Sequence, residues 1–240
     1  NYTDAINYLF YQHDEKTKTL LLNEYGQPML REEFYEDGLN CTPETFDLDC
    51  SETNRTFNKN RRPGEIKSHH YIISYDPRDA SDCGLTGEKA QELSLEVAQK
   101  MFPGHQALVV THTDGENHSG NIHTHIVINS VRANETEKED YMTQASDYKA
   151  GGKHRSTNKF MEHFKKEVMA MCEREGLHQI DLLSPAPEKV TEAEFRAKSR
   201  GQEKMEKINK KITAEGLKPS ATTFHTQKDF LRKAIKDCSR

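Results

Sequence analysis

HQALVVTHTDGENHSGNIHTHIVINSVR, residues 105–132, decides how the rest of the chain is read. Two β-branched, apolar runs (106–113 and 121–131) flank TDGENHSGN, whose Gly, Asn, Asp and Ser content marks a turn. The stretch therefore reads as a β-hairpin. Five of the chain's twelve histidines fall within it, which makes a local histidine cluster the first question to ask. His123 and His125 are two apart on one strand, so both side chains leave the same face, with Cα atoms about 6.6 Å apart. His112 lies at the turn end of the partner strand, where a third imidazole can join them. His118, in the turn, is the alternative third member, and His105 at the far end of its strand reads as structural. A lone strand histidine is more often a satisfied polar residue than a ligand, but a pair with a third across a hairpin favours a metal. Three neutral imidazoles with open coordination positions suit a working metal centre better than a closed structural one.

Working outward, SHHYIISYD (68–76) is a strand with His70, Ile72 and Ser74 on one side and His69, Tyr71 and Ile73 on the other. The helix after it starts near Thr86 and buries Ala90, Leu93, Val97, Ala98 and Met101 at 3–4 spacing. A helix from Thr157, stopped by Gly176, turns Phe160, Phe164, Val168 and Met171 inward. Residues 133–158 between them form a long polar loop ending in the basic KAGGKHR, which reads as flexible. LHQIDLL (177–183) reads as an edge strand. Thr191 and Glu194 form a capping box that opens a charged helix interrupted at Gly201, and a last helix follows Thr226. The expected class is α+β: an antiparallel sheet with helices packed on one face, plus a basic C-terminal helical extension. The expected division is 1–185 for the main domain and 186–240 for the extension.

With 33% apolar and 30% charged residues, the chain is surface-rich yet long enough to bury a real core. It contains no run of about 18 apolar residues and no signal peptide, so a cytoplasmic setting is expected. It begins at Asn1 without a methionine, which reads as a trimmed N-terminus. Five cysteines, an odd number without a CxxC, are expected as free thiols. The net charge of −5 is uneven: from Lys153 onward 20 Lys and Arg face 13 Asp and Glu, so a polyanion would be met on the C-terminal side.

HTDGENHSGNIHTHIVINSVR resembles the third motif of the relaxase/mobilisation nucleases of plasmids and integrative elements, within the wider His-hydrophobic-His endonuclease superfamily. SHHYIISYDPRD and FPGHQALVVTHTD resemble the stretch before that motif. AINYLFYQHDEKT resembles the motif carrying the catalytic tyrosine, and RGQEKMEKIN and KPSATTFHTQKDFLRKAI resemble the C-terminal portion. The resemblance implies a tyrosine nucleophile that attacks the scissile phosphate of one strand at a transfer origin and stays joined to the 5′ end. It puts that nucleophile at Tyr8, with Tyr11 and then Tyr2 as substitutes, and the metal ligands at His112, His123 and His125. Asp114 and Asn129 fall on supporting positions, while Asp76, Asp79 or Glu65 could orient a ligand histidine. Thr124 stands where many superfamily members have an apolar residue, but it faces the other side of the strand.

Three imidazoles favour Zn, Ni or Mn by ligand softness, and the resemblance implies Mg or Mn; a divalent ion, Mn or Mg, is the expected cofactor. Expected partners are single-stranded DNA at a transfer origin, accessory relaxosome proteins and a coupling protein, with no membrane. Lys153, Arg155, Lys204 and Lys207 are the expected backbone contacts. Two other classes compete: a non-catalytic origin-DNA-binding module with a structural metal, and a metal-dependent hydrolase whose nucleophile is water.

Overall fold

The histidine hairpin is the centre of the sheet. In the computed structural model, which describes residues 2–14, 17, 19–114, 121–185 and 190–238, the strands are β1 (Phe34–Leu39), β2 (Ser68–Ser74), β3 (Ala107–His112) and β4 (His123–Asn129). All pair antiparallel in the order β1-β3-β4-β2. β3 and β4 are buried along nearly their whole length, because both faces of the sheet are covered. The α+β class and the antiparallel sheet are those the sequence predicts.

Helices, however, lie on both faces rather than one. The odd-numbered β3 positions Ala107 and Val109, with Ile126 and Ile128 of β4, pack against α4 (Gly87–Met101) and α5 (Asn158–Glu175). The even-numbered positions Leu108 and Val110, with Val127, pack against Leu9 of α1 (Tyr2–Phe10) and Phe46 and Cys50 of α2 (Phe46–Thr56). Leu9 and Phe46 are fully buried, and each such side chain contributes about 1.5–3 kcal/mol. The period of two that sends alternate side chains to opposite faces thus directs one set to each helical layer. His112, His123, His125 and His70 share parity with the α1/α2 layer.

Several local expectations change. Residues 177–183 form no strand; Leu177 closes α5 after Gly176, whose φ of +67° makes the left-handed cap. The basic end of the 133–158 loop is pinned, because Val131 bridges Lys153 and the His154 ring packs 4.8 Å from that of Phe160. His154 Nε2 also lies 2.6 Å from the Tyr71 hydroxyl, and burial holds its pKa down at about 3. A short helix, α3 (Arg78–Asp82), lies between β2 and α4.

The chain divides into two units, Asn1–Ser184 and Pro185–Arg240. The second contains α6 (Glu192–Ala214), opened by the Thr191–Glu194 capping box, and α7 (Gln227–Cys238). Glu194 also pairs with Lys228 and Arg232 of α7. α6 runs on through Gly201, where a break was expected. The Phe224 ring occupies the space a Cβ would need there, so the glycine serves packing. All five cysteines are free, and no helix among the described residues is long and apolar enough to cross a membrane.

Candidate active site

The β3–β4 register sets His112 directly opposite His123, with His125 two residues along β4. One ligand nitrogen from each of the three lies within 4.8 Å of the others. His112 and His125 are buried, and His123 is half-buried. His118 lies outside the described residues.

The hydrogen bonds select a nitrogen on each ring. His112 Nε2 donates to the Leu9 carbonyl at 2.7 Å, leaving Nδ1 buried without a partner. His125 Nδ1 lies 2.8 Å from His70 Nε2, leaving its Nε2 buried without a partner. His123 Nδ1 donates to the Asn121 carbonyl at 3.2 Å, which frees Nε2. Burial pushes the pKa of His112 down to about 4, helped by the Arg31 guanidinium and opposed by the Leu9 bond. Burial, with the neighbouring histidines, takes His125 down to about 2. Two buried lone pairs without hydrogen-bond partners, on rings kept neutral, fit a divalent cation. Without one they carry the cost of unsatisfied polar groups.

Tyr8 reaches this cluster from α1. Its ring centroid is 5.5 Å from His125, edge-on, and 6.2 Å from His70, while the side chain remains 39% exposed. The bond from His112 to the carbonyl of Leu9, the next residue, ties the tyrosine helix to the cluster. Tyr11 sits past the helix end, in a bridge to Leu30. Tyr2 is buried at the opposite end of α1, its hydroxyl donating to Asn129 Oδ1 at 2.8 Å and accepting from Asn54 Nδ2.

Asn129 therefore anchors the start of the tyrosine helix; it stands at the other end of β4 from His123, where its carbonyl accepts from His105 Nδ1 at 2.8 Å. Asp114 binds Arg31 at 2.6 Å, and Arg31 also donates to the Tyr8 carbonyl, so this pair braces the other end of α1. Thr124 faces the α4 side and bonds Thr111.

None of the acidic residues expected to orient a ligand does so. Asp76 binds Arg78, Glu65 binds Lys153, and Asp79 binds His178. The side chain found beside a candidate ligand is His70, whose signal was its parity on β2: it shares a face with His125 across the β2–β4 register. A metal on His125 Nε2 would require the proton on Nδ1, with His70 Nε2, 2.8 Å away, as its acceptor. His70→Leu is expected to weaken metal binding about 10–100-fold, while excess metal restores much of the activity. Chelator competition measures the first; unchanged affinity would remove His70 from this role. His13 is a second neighbour absent from the sequence reading, its ring 6.1 Å from that of Tyr8.

The expected DNA contacts divide. Lys153 pairs with Glu65 and Arg155 with Asp147, both half-buried, whereas Lys204 and Lys207 are exposed on α6. A basic cavity of about 470 Å³ in the first unit escaped the sequence reading. Arg55, Lys59, Arg61 and Lys67 line it, beside Tyr2, with Asp47 as the carboxylate among its lining residues.

Comparison with known proteins gives the same direction. Two Staphylococcus aureus proteins, each named Protein rlx, are 32% identical over 142 residues and 27% identical over 160. The matches cover 59% and 67% of this chain but only 36% and 39% of those proteins, so the chain spans well under half of their length. No solved structure matches. A family model described as relaxase, MobA/VirD2-like, nuclease domain matches residues 21–177, nearly two thirds of the chain, beginning after Tyr8. This chain, with its three-histidine hairpin inside the matched region, belongs to the MobA/VirD2-like relaxase nuclease family.

Proposed function

We propose that the chain is the nuclease part of a relaxase that nicks one DNA strand at a transfer origin, with Tyr8 as nucleophile, for conjugative transfer or mobilisation. The observation that carries this reading is the seating of an exposed tyrosine ring against a three-imidazole cluster, one member of which is bonded to the next residue of the tyrosine's own helix. Tyr8 Oη attacks the scissile phosphorus, the P–O3′ bond breaks, and the 5′ phosphate remains on the tyrosine. The phenolic proton leaves to solvent, to which the ring is open, and the departing 3′ oxygen takes a proton to become a hydroxyl.

His112 through Nδ1, and His123 and His125 through Nε2, would hold a divalent ion, Mn or Mg. Bound there, it supplies Lewis-acid stabilisation of charge building on the phosphate oxygens. His70 fixes the His125 tautomer, and the Arg31–Asp114 pair steadies the helix carrying Tyr8. Single-stranded origin DNA is the substrate, with accessory relaxosome proteins and a coupling protein as partners. The second unit, 186–240 in outline, supplies Lys204 and Lys207 as backbone contacts.

The deciding test incubates the chain with Mn²⁺ and single-stranded oligonucleotides tiling a cognate origin. A DNA-linked protein band that survives denaturation is expected. Cleavage leaving a free 5′ phosphate and no adduct would indicate water as nucleophile, and binding without cleavage would indicate a DNA-binding module.

The basic cavity beside Tyr2 is a phosphate-backbone contact in the same reading. For single strands, each neutralised phosphate adds about 0.7 to the salt slope. Replacing Lys59 and Arg61 together by Ala is therefore expected to reduce the slope of log K against log salt by about 1.4. An unchanged slope in a fluorescence-anisotropy titration would remove the cavity from the DNA path.

A further inference from the structure

A second group of ligand-type side chains lies in the first unit, away from the histidine hairpin. Asp79 of α3 and Cys83 just beyond it are one helical turn apart and present neighbouring side chains. His178 comes to them from the end of α5, carried back by the left-handed cap at Gly176. His178 Nδ1 and the His178 backbone N–H both donate to Asp79 Oδ1 at 2.8 Å. Cys83 Sγ is 3.7 Å from Asp79 Oδ1 and 4.0 Å from His178 Nδ1.

We propose that Asp79, Cys83 and His178 form a zinc site, separate from the three-imidazole centre, that clasps α3 to the end of α5. Tetrahedral zinc with Zn–S near 2.3 Å and Zn–N and Zn–O near 2.0–2.2 Å holds its donors about 3.3–3.6 Å apart. The observed separations lie within about half an ångström of that range, so small side-chain rotations close the site. Charge points the same way. Asp79 is fully buried, yet among the described residues the side chain bonded to its carboxylate from the end of α5 is a histidine and not Lys or Arg, and the neighbouring Arg78 is engaged by Asp76. A buried carboxylate is stabilised by a cation, and a divalent ion supplies one.

The other nitrogen of His178 is prepared for this tautomer. Its Nε2 lies 3.6 Å from Asp82 Oδ2, the carboxylate neighbour that zinc-bound imidazoles commonly have on the far side of the ring. On binding, the Cys83 thiol releases its proton and the imidazole proton moves from Nδ1 to Nε2, beside Asp82. Water completes the fourth position on the exposed side. The thiolate and imidazole select Zn²⁺ over the harder Mg²⁺ and Mn²⁺.

Co²⁺ titration of the reduced chain tests this without interference from the histidine hairpin, which offers no sulfur. A thiolate-to-cobalt charge-transfer band is expected, with a final intensity matching one thiolate-bound Co²⁺ per chain. Cys83→Ser, at an exposed position, should abolish the band and keep the visible bands of any cobalt on the imidazole centre. His178→Gln should weaken the ion giving that band at least tenfold, and Zn²⁺ should displace it. Zn²⁺ should also raise the melting temperature more in the parent chain than in Cys83→Ser, whose circular dichroism verifies folding. A parent chain without the band, a band that survives Cys83→Ser, or an equal zinc-induced rise in both proteins would overturn the proposal.

Discussion

Tyr8→Phe is expected to eliminate the covalent protein–DNA adduct completely while leaving the fold and single-stranded DNA affinity near their parent values. Only the hydroxyl is removed. The ring contacts with His125 and His70 are edge-on contacts of the aromatic face and rim, which Phe retains. The side chain is exposed, so no buried donor or acceptor is left unpaired. A loss confined to chemistry therefore identifies the hydroxyl as the attacking group. The neighbouring tyrosines make this a sharp test. Tyr2 is buried in a hydrogen-bonded network with Asn54 and Asn129, and burial pushes its pKa up to about 12, which disfavours the phenolate a nucleophile needs. Tyr11 lies beyond the last residue of α1, in the bridge to Leu30. An adduct that persists in Tyr8→Phe and disappears in Tyr11→Phe would transfer the role to Tyr11. Denaturing gels of Tyr8→Phe and Tyr11→Phe with a cognate origin strand decide it.

The parts of this arrangement that could be read from the chain are those with a short-range pattern. His123 and His125 share a face because strand side chains alternate, and His112 joins them because the hairpin register sets it opposite His123. Thr124 facing away follows from the same alternation. Tyr8 differs: nothing within AINYLFY distinguishes a catalytic ring from a packing one, and its placement came from resemblance. The bond between His112 and the Leu9 carbonyl joins residues 103 positions apart and leaves no local trace.

His70 was visible as a strand histidine, but its role depends on β2 pairing with β4 on the far side from β3, a sheet order no local pattern encodes. Acidic residues were the natural candidates for orienting a ligand; the sheet places a histidine beside His125 instead. The polar stretch 13–41, broken by Gly26, Pro28 and Gly38, reads only as a hairpin or irregular excursion, and β1 within it does not stand out because an edge strand carrying Glu36, Asp37 and Gly38 lacks apolar alternation. The second helical layer was hidden for a related reason. β3 and β4 are apolar on both faces, a pattern that announces burial without saying what provides it. Lys153 and Arg155 show the limit of reading charge alone: counted as free cations, they are held by Glu65 and Asp147.

His125→Ala is expected to reduce metal-dependent cleavage about 10³-fold, since removing a ligand forfeits several kcal/mol of transition-state stabilisation, tenfold for each 1.36 kcal/mol. Of the three histidines, His125 is the most informative to change. It is buried between Tyr8, His70, His112 and His123, and burial holds it neutral, with a pKa near 2, so its lone pair is available throughout the range in which the protein is handled. Truncation also leaves His70 Nε2 without its partner and opens space beside Tyr8, so loss of cleavage alone could reflect a displaced tyrosine. The readouts must separate these effects. Metal affinity by chelator competition should fall by tenfold or more, whereas single-stranded DNA binding without metal should change less than about twofold. His123→Ala, at the half-buried position and farther from His70, should reproduce the loss of metal and cleavage without disturbing the Tyr8 contacts. Parent-level cleavage in either variant at limiting metal would exclude the three-imidazole cluster as the phosphate-activating centre. Loss of cleavage in both with metal affinity intact would assign the histidines to direct contact with DNA.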